Sequence, residues 1–307
     1  METLPRTDLA RLLDRQVARY QDKPLLTWYD DARGERVELS YKTFANWVAK
    51  TANLLVEELE VAPGERVALL LPTHWQTVVL RAACWLAGVR AGSSQEGVAA
   101  VFAREERLGE VSAMATVPVV ALTADWLGRP AGDLGGARNF ARAAAAMGDH
   151  FEFEGAAEGD GGPAAEAAAE AAALVELGEP LALASGLAGR LVLGERDRLH
   201  TSLPVEGPPG AVAALLAPLL AGAGVVLEAA VDPRPGRFWR RLADERVTVA
   251  CLDRAAVAAL LEAPPSPAEA GAGGPRPRVA WCPGRDAAEL AERFERRFGV
   301  PLLTGVS

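Results

Sequence analysis

Apolar residues recur at three- and four-residue steps from Phe44 through Trp47, Val48, Thr51 and Leu55 to Leu59, the mark of a helix with one buried face. Ser40 suits its N-cap, and Leu39 and Phe44 stand at the two ends of a hydrophobic staple. Pro63-Gly64 ends the helix. The following "RVALLL" is a short unbroken apolar run, as in a strand covered on both faces. A helix over 75–87 then closes at Gly88. Before this block the pattern predicts a helix over 7–20 and two short strands in "PLLTWYDDARGERVELSY". After it come a strand at 98–102, a helix over 104–113, a strand at 118–123 and a helix in "GARNFARAAAAMG".

Residues 151–173 carry six acidic side chains and no Lys or Arg around "EGDGGP", which marks a boundary. The alternation then resumes: helix 180–193, strand 198–203, helix 211–221, strand 224–229, helix 236–246, strand "VTVACL", helix 253–262, strand "RVAWC", helix 286–298 and strand "VPLLTG". The intervening "APPSPAEAGAGGPRPR" reads as a loop. Strands alternating with helices imply mostly parallel sheets under helical cover, an α/β fold in two lobes. The expected organisation is a first lobe over 1–150, an acidic Gly/Ala-rich linker over 151–173 and a second lobe over 174–307. The lobes also echo each other. "PGERVALLLPTHWQTVVLRAACWLAGV" and "LGERDRLHTSLPVEGPPGAVAALLAPLLAGAGVV" both run Gly-Glu-Arg, strand, Leu-Pro, small-residue helix, Ala-Gly.

Composition narrows the function classes. A net charge of −9 and a pI near 5.1 argue against nucleic acid or an anionic membrane surface as main partner. Residues 207–227 carry no charge, but Pro208, Pro209, Pro218 and four glycines make them a helix, turn and strand rather than a membrane span. "METLPRTDLARLLDRQ" has no apolar signal region. Cys84, Cys251 and Cys282 fit no metal spacing and read as core residues of a cytoplasmic protein. His74 reads as a surface cap residue. Lysine occurs only at Lys23, Lys42 and Lys50, so no lysine chemistry is available after residue 50.

"LSYKTFANWVAKTANLLVEELEVAPGERVALLLPTHWQTVVLRAACWLAGV" resembles the opening of the adenylate-forming superfamily, the AMP-dependent synthetases, ligases and acyl-CoA synthetases. "RLADERVTVACLDRAAVAALLE" and "PRVAWCPGRDAAELAERFERRFGVPLLTG" resemble later segments of that family, with Gly284 at its second glycine and Pro283 replacing the first. The resemblance implies the two lobes of the family's large N-terminal region, without the small C-terminal domain. It makes Gly284 and Arg285 the candidate nucleotide or acyl-pocket residues, with no catalytic or metal-binding residue.

The family's phosphate loop is rich in Ser, Thr and Gly and ends in Pro-Lys-Gly. Its nearest counterpart is "LALASGLAGRLVL", where Leu187 and Ala188 replace the threonines and Val192 takes the lysine position. The segment also reads as a helix, with Pro180 at its start and Gly194 past its end. The family's Tyr-Gly-x-Thr-Glu motif would follow "FGVPLLTG", beyond Ser307. No GxSxG, Walker A or HExxH pattern occurs. "AGAG" at 221–224 reads as a turn, and "EGDGGP" as a solvated acidic loop rather than a cation site.

Three functions follow. The first is a non-catalytic relative, a pseudoenzyme binding a protein partner or a small acyl or nucleotide ligand, with no cofactor expected. The second is ATP-dependent carboxylate adenylation with ATP/AMP and Mg, completed by another chain. The third is a truncated product without an independent role.

Overall fold

The computed structural model describes residues 6–112, 116–123, 125, 130, 132–151, 180–228, 234–264, 276–284 and 288–305. Contacts divide the chain into two units, 1–23 with 40–181 and 24–39 with 182–307.

The first unit holds α1 (Arg6–Tyr20), α2 (Tyr41–Asn53, continued as a π-helical turn over Leu54–Glu58), β3 (Arg66–Leu70), α3 (Trp75–Ala87), β4 (Arg90–Gly92), β5 (Ala100–Arg104), α4 (Leu108–Ser112), β6 (Val119–Leu122), β7 (Arg138–Asn139) and α5 (Phe140–Ala145). The five strands are parallel in the order β4-β3-β5-β6-β7. Ser40 caps α2 by accepting the Thr43 amide at 3.1 Å, and Leu39 and Phe44 are buried. Ala68, Leu70, Val101, Ala103 and Ala121 form one core layer with Leu108 and Val111.

The second unit holds β1 (Pro24–Asp30), β2 (Glu35–Ser40), α6 (180–190), β8 (Arg198–Thr201), α7 (208–221, with a π-helical turn over Val212–Leu216), β9 (Gly224–Glu228), α8 (Pro235–Asp244), β10 (Val249–Cys251), α9 (Arg254–Glu262), β11 (Val279–Cys282), α10 (Ala288–Phe298) and β12 (Leu302–Thr304). Its strand order is β12-β11-β10-β8-β9-β1-β2. Beneath it Phe238, Trp239, Phe294 and Phe298 form an aromatic cluster, with ring centroids 4.9 to 6.2 Å apart. Such pairs contribute about 0.5–1.5 kcal/mol each beyond their buried area.

The strands corrected one expected boundary. The sequence pattern puts residues 24–39 in the first lobe, yet β1 pairs in parallel with β9, Leu26 opposite Val225 and Trp28 opposite Leu227. Leu25, Leu26 and Trp28 are buried there. The hairpin is further held by the ion pair of Arg241 with Asp31 at 2.7 Å and by Arg198, which donates to Thr27 Oγ1 at 2.7 Å while it pairs with Glu245 at 2.6 Å. Its partner lies some 200 residues away in sequence (Leu26 to Val225), a pairing local pattern cannot reveal. The expected linker falls almost entirely outside the described residues.

The echo between the lobes is a true structural repeat. Both five-strand sets run second-first-third-fourth-fifth. In the first unit α2 with its π turn ends in a left-handed residue, Glu60 (φ 53°), and the Val61 amide returns to the Leu55 carbonyl at 2.9 Å. In the second, α6 ends at Val192 (φ 48°), and the Leu193 amide returns to Ala188 at 2.9 Å. Gly88 and Gly222 then close α3 and α7, each with φ 68°. The backbone, however, aligns Ala62 with Gly194 and Arg66 with Arg198, two residues away from the Gly-Glu-Arg match. The structure obeys the start of each apolar strand, not the identity of the turn letters.

Candidate functional site

In open parallel sheets of this strand order, ligands bind outside the carboxyl ends of the strands, where the order reverses. In the second unit that point lies between β8 and β10. Ser202 follows β8 and is nearly buried, and its hydroxyl finds no hydrogen-bond partner among the described residues. Thr201 Oγ1 is used by the Leu203 amide at 3.1 Å. Asp253, just past β10, caps α9 by accepting the Ala256 amide at 2.6 Å.

Further along the same edge lie Gly284 and Gly305. Gly284 has φ 110°, a conformation natural to glycine, and its carbonyl accepts the Gly305 amide at 3.1 Å. A Cβ there would meet nothing within 4 Å, so backbone conformation alone calls for glycine. Arg285, the other expected pocket residue, lies outside the described residues.

The segment resembling the phosphate loop is helical from 180 to 190. Leu181, Ala184, Leu187 and Leu191 form its buried stripe. Arg190, its last residue, donates Nη1 to the Gly305 carbonyl and Nη2 to the Thr304 carbonyl, both at 3.0 Å. Trp281 Nε1 donates to the same Gly305 carbonyl at 2.8 Å. Leu183, Leu187, Pro209 and Val212 complete an apolar cleft around these groups whose interior is about 10 Å³, roughly the room for one water. Helix, arginine and tryptophan thus fill the space against β11 and β12 themselves. Val192, at the lysine position, is 76% exposed.

Sequence reasoning missed Ser202 and the shared use of Gly305 by Arg190 and Trp281. A tryptophan in the otherwise small-residue strand "RVAWC" was the available signal. One other expectation is refined. His74 does cap α3, its Nδ1 accepting the Gln76 amide at 3.2 Å, but it is buried rather than on the surface. His200 Nε2 lies 3.1 Å from Glu228 Oε2, but off the line that a hydrogen bond needs, so the contact is one of proximity.

Burial pushes the Cys251 thiol up to about 12 and the Cys282 thiol up to about 11, the latter helped by Asp253. Neither is a nucleophile near neutral pH. Among the described residues no group of three His, Cys, Asp or Glu is placed to hold a metal ion, and no helix is long and apolar enough to cross a membrane.

Residues 13–91 match the family described as AMP-binding enzyme. The chain is 36% identical over 252 residues to a TIGR03089 family protein of Mycobacterium tuberculosis, covering 80% of this chain and 98% of that one. Its fold is similar to that of an acyl-CoA synthetase from Brucella canis (TM-score 0.72, 18% identity), covering 95% of this chain but 56% of that one. It is also similar to the N-terminal domain of FACL13 from Mycobacterium tuberculosis (TM-score 0.71, 16% identity), covering 100% of this chain and 76% of that one. A benzoate CoA ligase from Burkholderia xenovorans LB400 matches likewise (TM-score 0.71, 19% identity), over 97% of this chain and 60% of that one.

Proposed function

This chain belongs to the AMP-binding, adenylate-forming superfamily, and we propose that it is a non-catalytic member that keeps the scaffold to bind a protein partner or a small acyl or nucleotide ligand. One observation carries this reading. The segment that most resembles the family's phosphate loop is a helix whose one cation, Arg190, is spent on the Thr304 and Gly305 carbonyls. Adenylation requires the α-phosphate to be held and its developing charge offset, an electrostatic contribution of about 3–4 kcal/mol for a single donor in well-studied sites. In that resemblance the lysine is replaced by an apolar Val192, and all three lysines lie within the first 50 residues.

The proposed ligand edge is the carboxyl end of the second sheet, with the Ser202 hydroxyl, unpartnered among the described residues, and the Gly284–Gly305 backbone contact nearest to it. Binding there requires Trp281 or α6 to yield, because the cleft beside them is nearly filled. Purified protein is expected to give no ATP–pyrophosphate exchange with fatty, aryl or amino acids. Calorimetry with ATP, AMP and acyl-adenylate analogues tests ligand binding separately. Robust exchange by the chain alone would sink the proposal. Exchange that appears only on adding a second protein would favour carboxylate adenylation completed by another chain.

A further inference from the structure

The repeat places Arg66 and Arg198 at one position, the first residue of the first strand of each five-strand set. Their backbones are used alike. The Arg66 carbonyl accepts the Ala99 amide at 2.7 Å, and the Arg198 carbonyl accepts the Thr248 amide at 2.9 Å. Counting back three residues from each of those amides puts Glu96 and Glu245 in corresponding places.

The side chains meet different surroundings. Arg198 Nη2 reaches Glu245 at 2.6 Å and Thr27 Oγ1 at 2.7 Å, with Glu38 at 3.9 Å. Thr27 and Glu38 come from the β1–β2 hairpin, which extends the second sheet beyond β9. The first sheet ends at β4, the strand equivalent to β9, and no hairpin follows there among the described residues. Arg66 instead donates Nη2 to the Glu96 carbonyl at 2.9 Å. It borders a concavity of about 220 Å³ lined by Gly64, Glu65, Arg90, Gly97 and Val98. Glu65 lines it too, with its Oε2 accepting the Ala62 amide at 2.8 Å.

We propose that this concavity at the amino ends of β3, β4 and β5 is a binding site for a small carboxylate anion, received by Arg66 as its counterpart Arg198 receives the carboxylate of Glu245. A guanidinium offers a planar fork matched to carboxylate oxygens. Arg90 adds a second positive charge at the rim. Glu65 and Glu96 bring negative charge to the same neighbourhood, so a monocarboxylate or small dicarboxylate fits better than a highly charged anion. Because Arg66 and Arg90 are exposed, the site is weak and salt-sensitive. The proposal does not depend on whether the carboxyl edge of the second sheet is catalytic.

The test is thermal unfolding and calorimetry of the whole chain with acetate, malonate or inorganic phosphate at matched ionic strength. Malonate near 10 mM is expected to raise the unfolding midpoint by about 2 °C, an effect of mass action on the folded state. Arg66→Gln is expected to abolish that rise and the binding heat while leaving the anion-free midpoint within about 1 °C, as for an exposed surface substitution. If that variant fails to fold, Arg66→Lys keeps the charge and loses the fork, and binding is expected to weaken at least tenfold. An equal rise in either variant, or no rise and no heat with wild-type protein, overturns the site. A response to phosphate without one to acetate or malonate overturns its assignment to carboxylates.

Discussion

Glu65 and Asp197 hold the same turn in two copies of one unit, each carboxylate accepting the amide three residues before it, from Ala62 at 2.8 Å and from Gly194 at 2.9 Å. The copies differ in what else they reach. Asp197 also accepts Thr248 Oγ1 at 2.6 Å and meets Arg278 Nη2 at 3.2 Å, so one carboxylate joins the end of α6 to the entries of two strands. Asp197→Ala is therefore expected to cost about 2 kcal/mol, and Glu65→Ala less than about 1 kcal/mol. Urea unfolding of the two variants checks this. Equal losses would mean that the additional contacts of Asp197 contribute nothing.

Val192 presents the opposite situation, a residue whose replacement should help. It is a β-branched side chain at φ 48°, where the helix end favours glycine, and its side chain is largely exposed. Val192→Gly is expected to stabilise the protein by about 1 kcal/mol, since the left-handed penalty exceeds the entropy glycine restores to the unfolded chain. A shift of the urea midpoint to lower concentration would contradict this.

Trp47 shares the buried face of α2, but its side chain is only partly covered. Its ring packs edge-on to Trp75 at 5.5 Å and stacks on Phe140 at 6.2 Å. Trp47→Ala is expected to cost about 2–4 kcal/mol, below the loss for a fully enclosed tryptophan. A loss under about 1 kcal/mol would show that these ring contacts are not formed in solution.

The buried thiols make stability fall in alkali. Cys251 and Cys282 are raised from near 9 to about 12 and about 11, so they stay protonated in the folded chain at pH values where the unfolded chain ionises. Their contribution is fully present below pH 9 and is lost as pH rises from there, through about 11 for Cys282 and about 12 for Cys251. The slope approaches about 1.4 kcal/mol per pH unit for each thiol. Tyr29, raised by burial and by Glu245, acts in the same direction at higher pH. Replacing both cysteines by alanine should flatten the fall in stability between pH 9 and 10, whatever it does to the absolute level. All three free cysteines are buried, so a thiol reagent at pH 8 should label none in the native protein and three after unfolding. Rapid labelling of any native cysteine would contradict that burial.

Local pattern alone determined most elements, because it records what each segment does with its own apolar face. The stripe from Phe44 to Leu59, the Ser40 cap and the apolar runs of β3, β5, β8 and β10 are dictated within a few residues of themselves. The helix over 180–190 was legible for the same reason: its stripe and flanking Pro180 and Gly194 outweighed the loop-like glycines. Motif spacing also carried the family and the candidate Gly284. What the sequence could not display was partnership between distant segments. The pairing of β1 with β9, the ties of Arg198 and Arg241 to the hairpin, and the convergence of Arg190 and Trp281 on Gly305 join residues from 24 to more than 200 positions apart. Nor could it show the true register of the repeat, where Asp197 rather than Glu195 inherits the work of Glu65. A hydrogen bond depends on where a carboxylate stands once the strands have paired, and only the tertiary structure decides that.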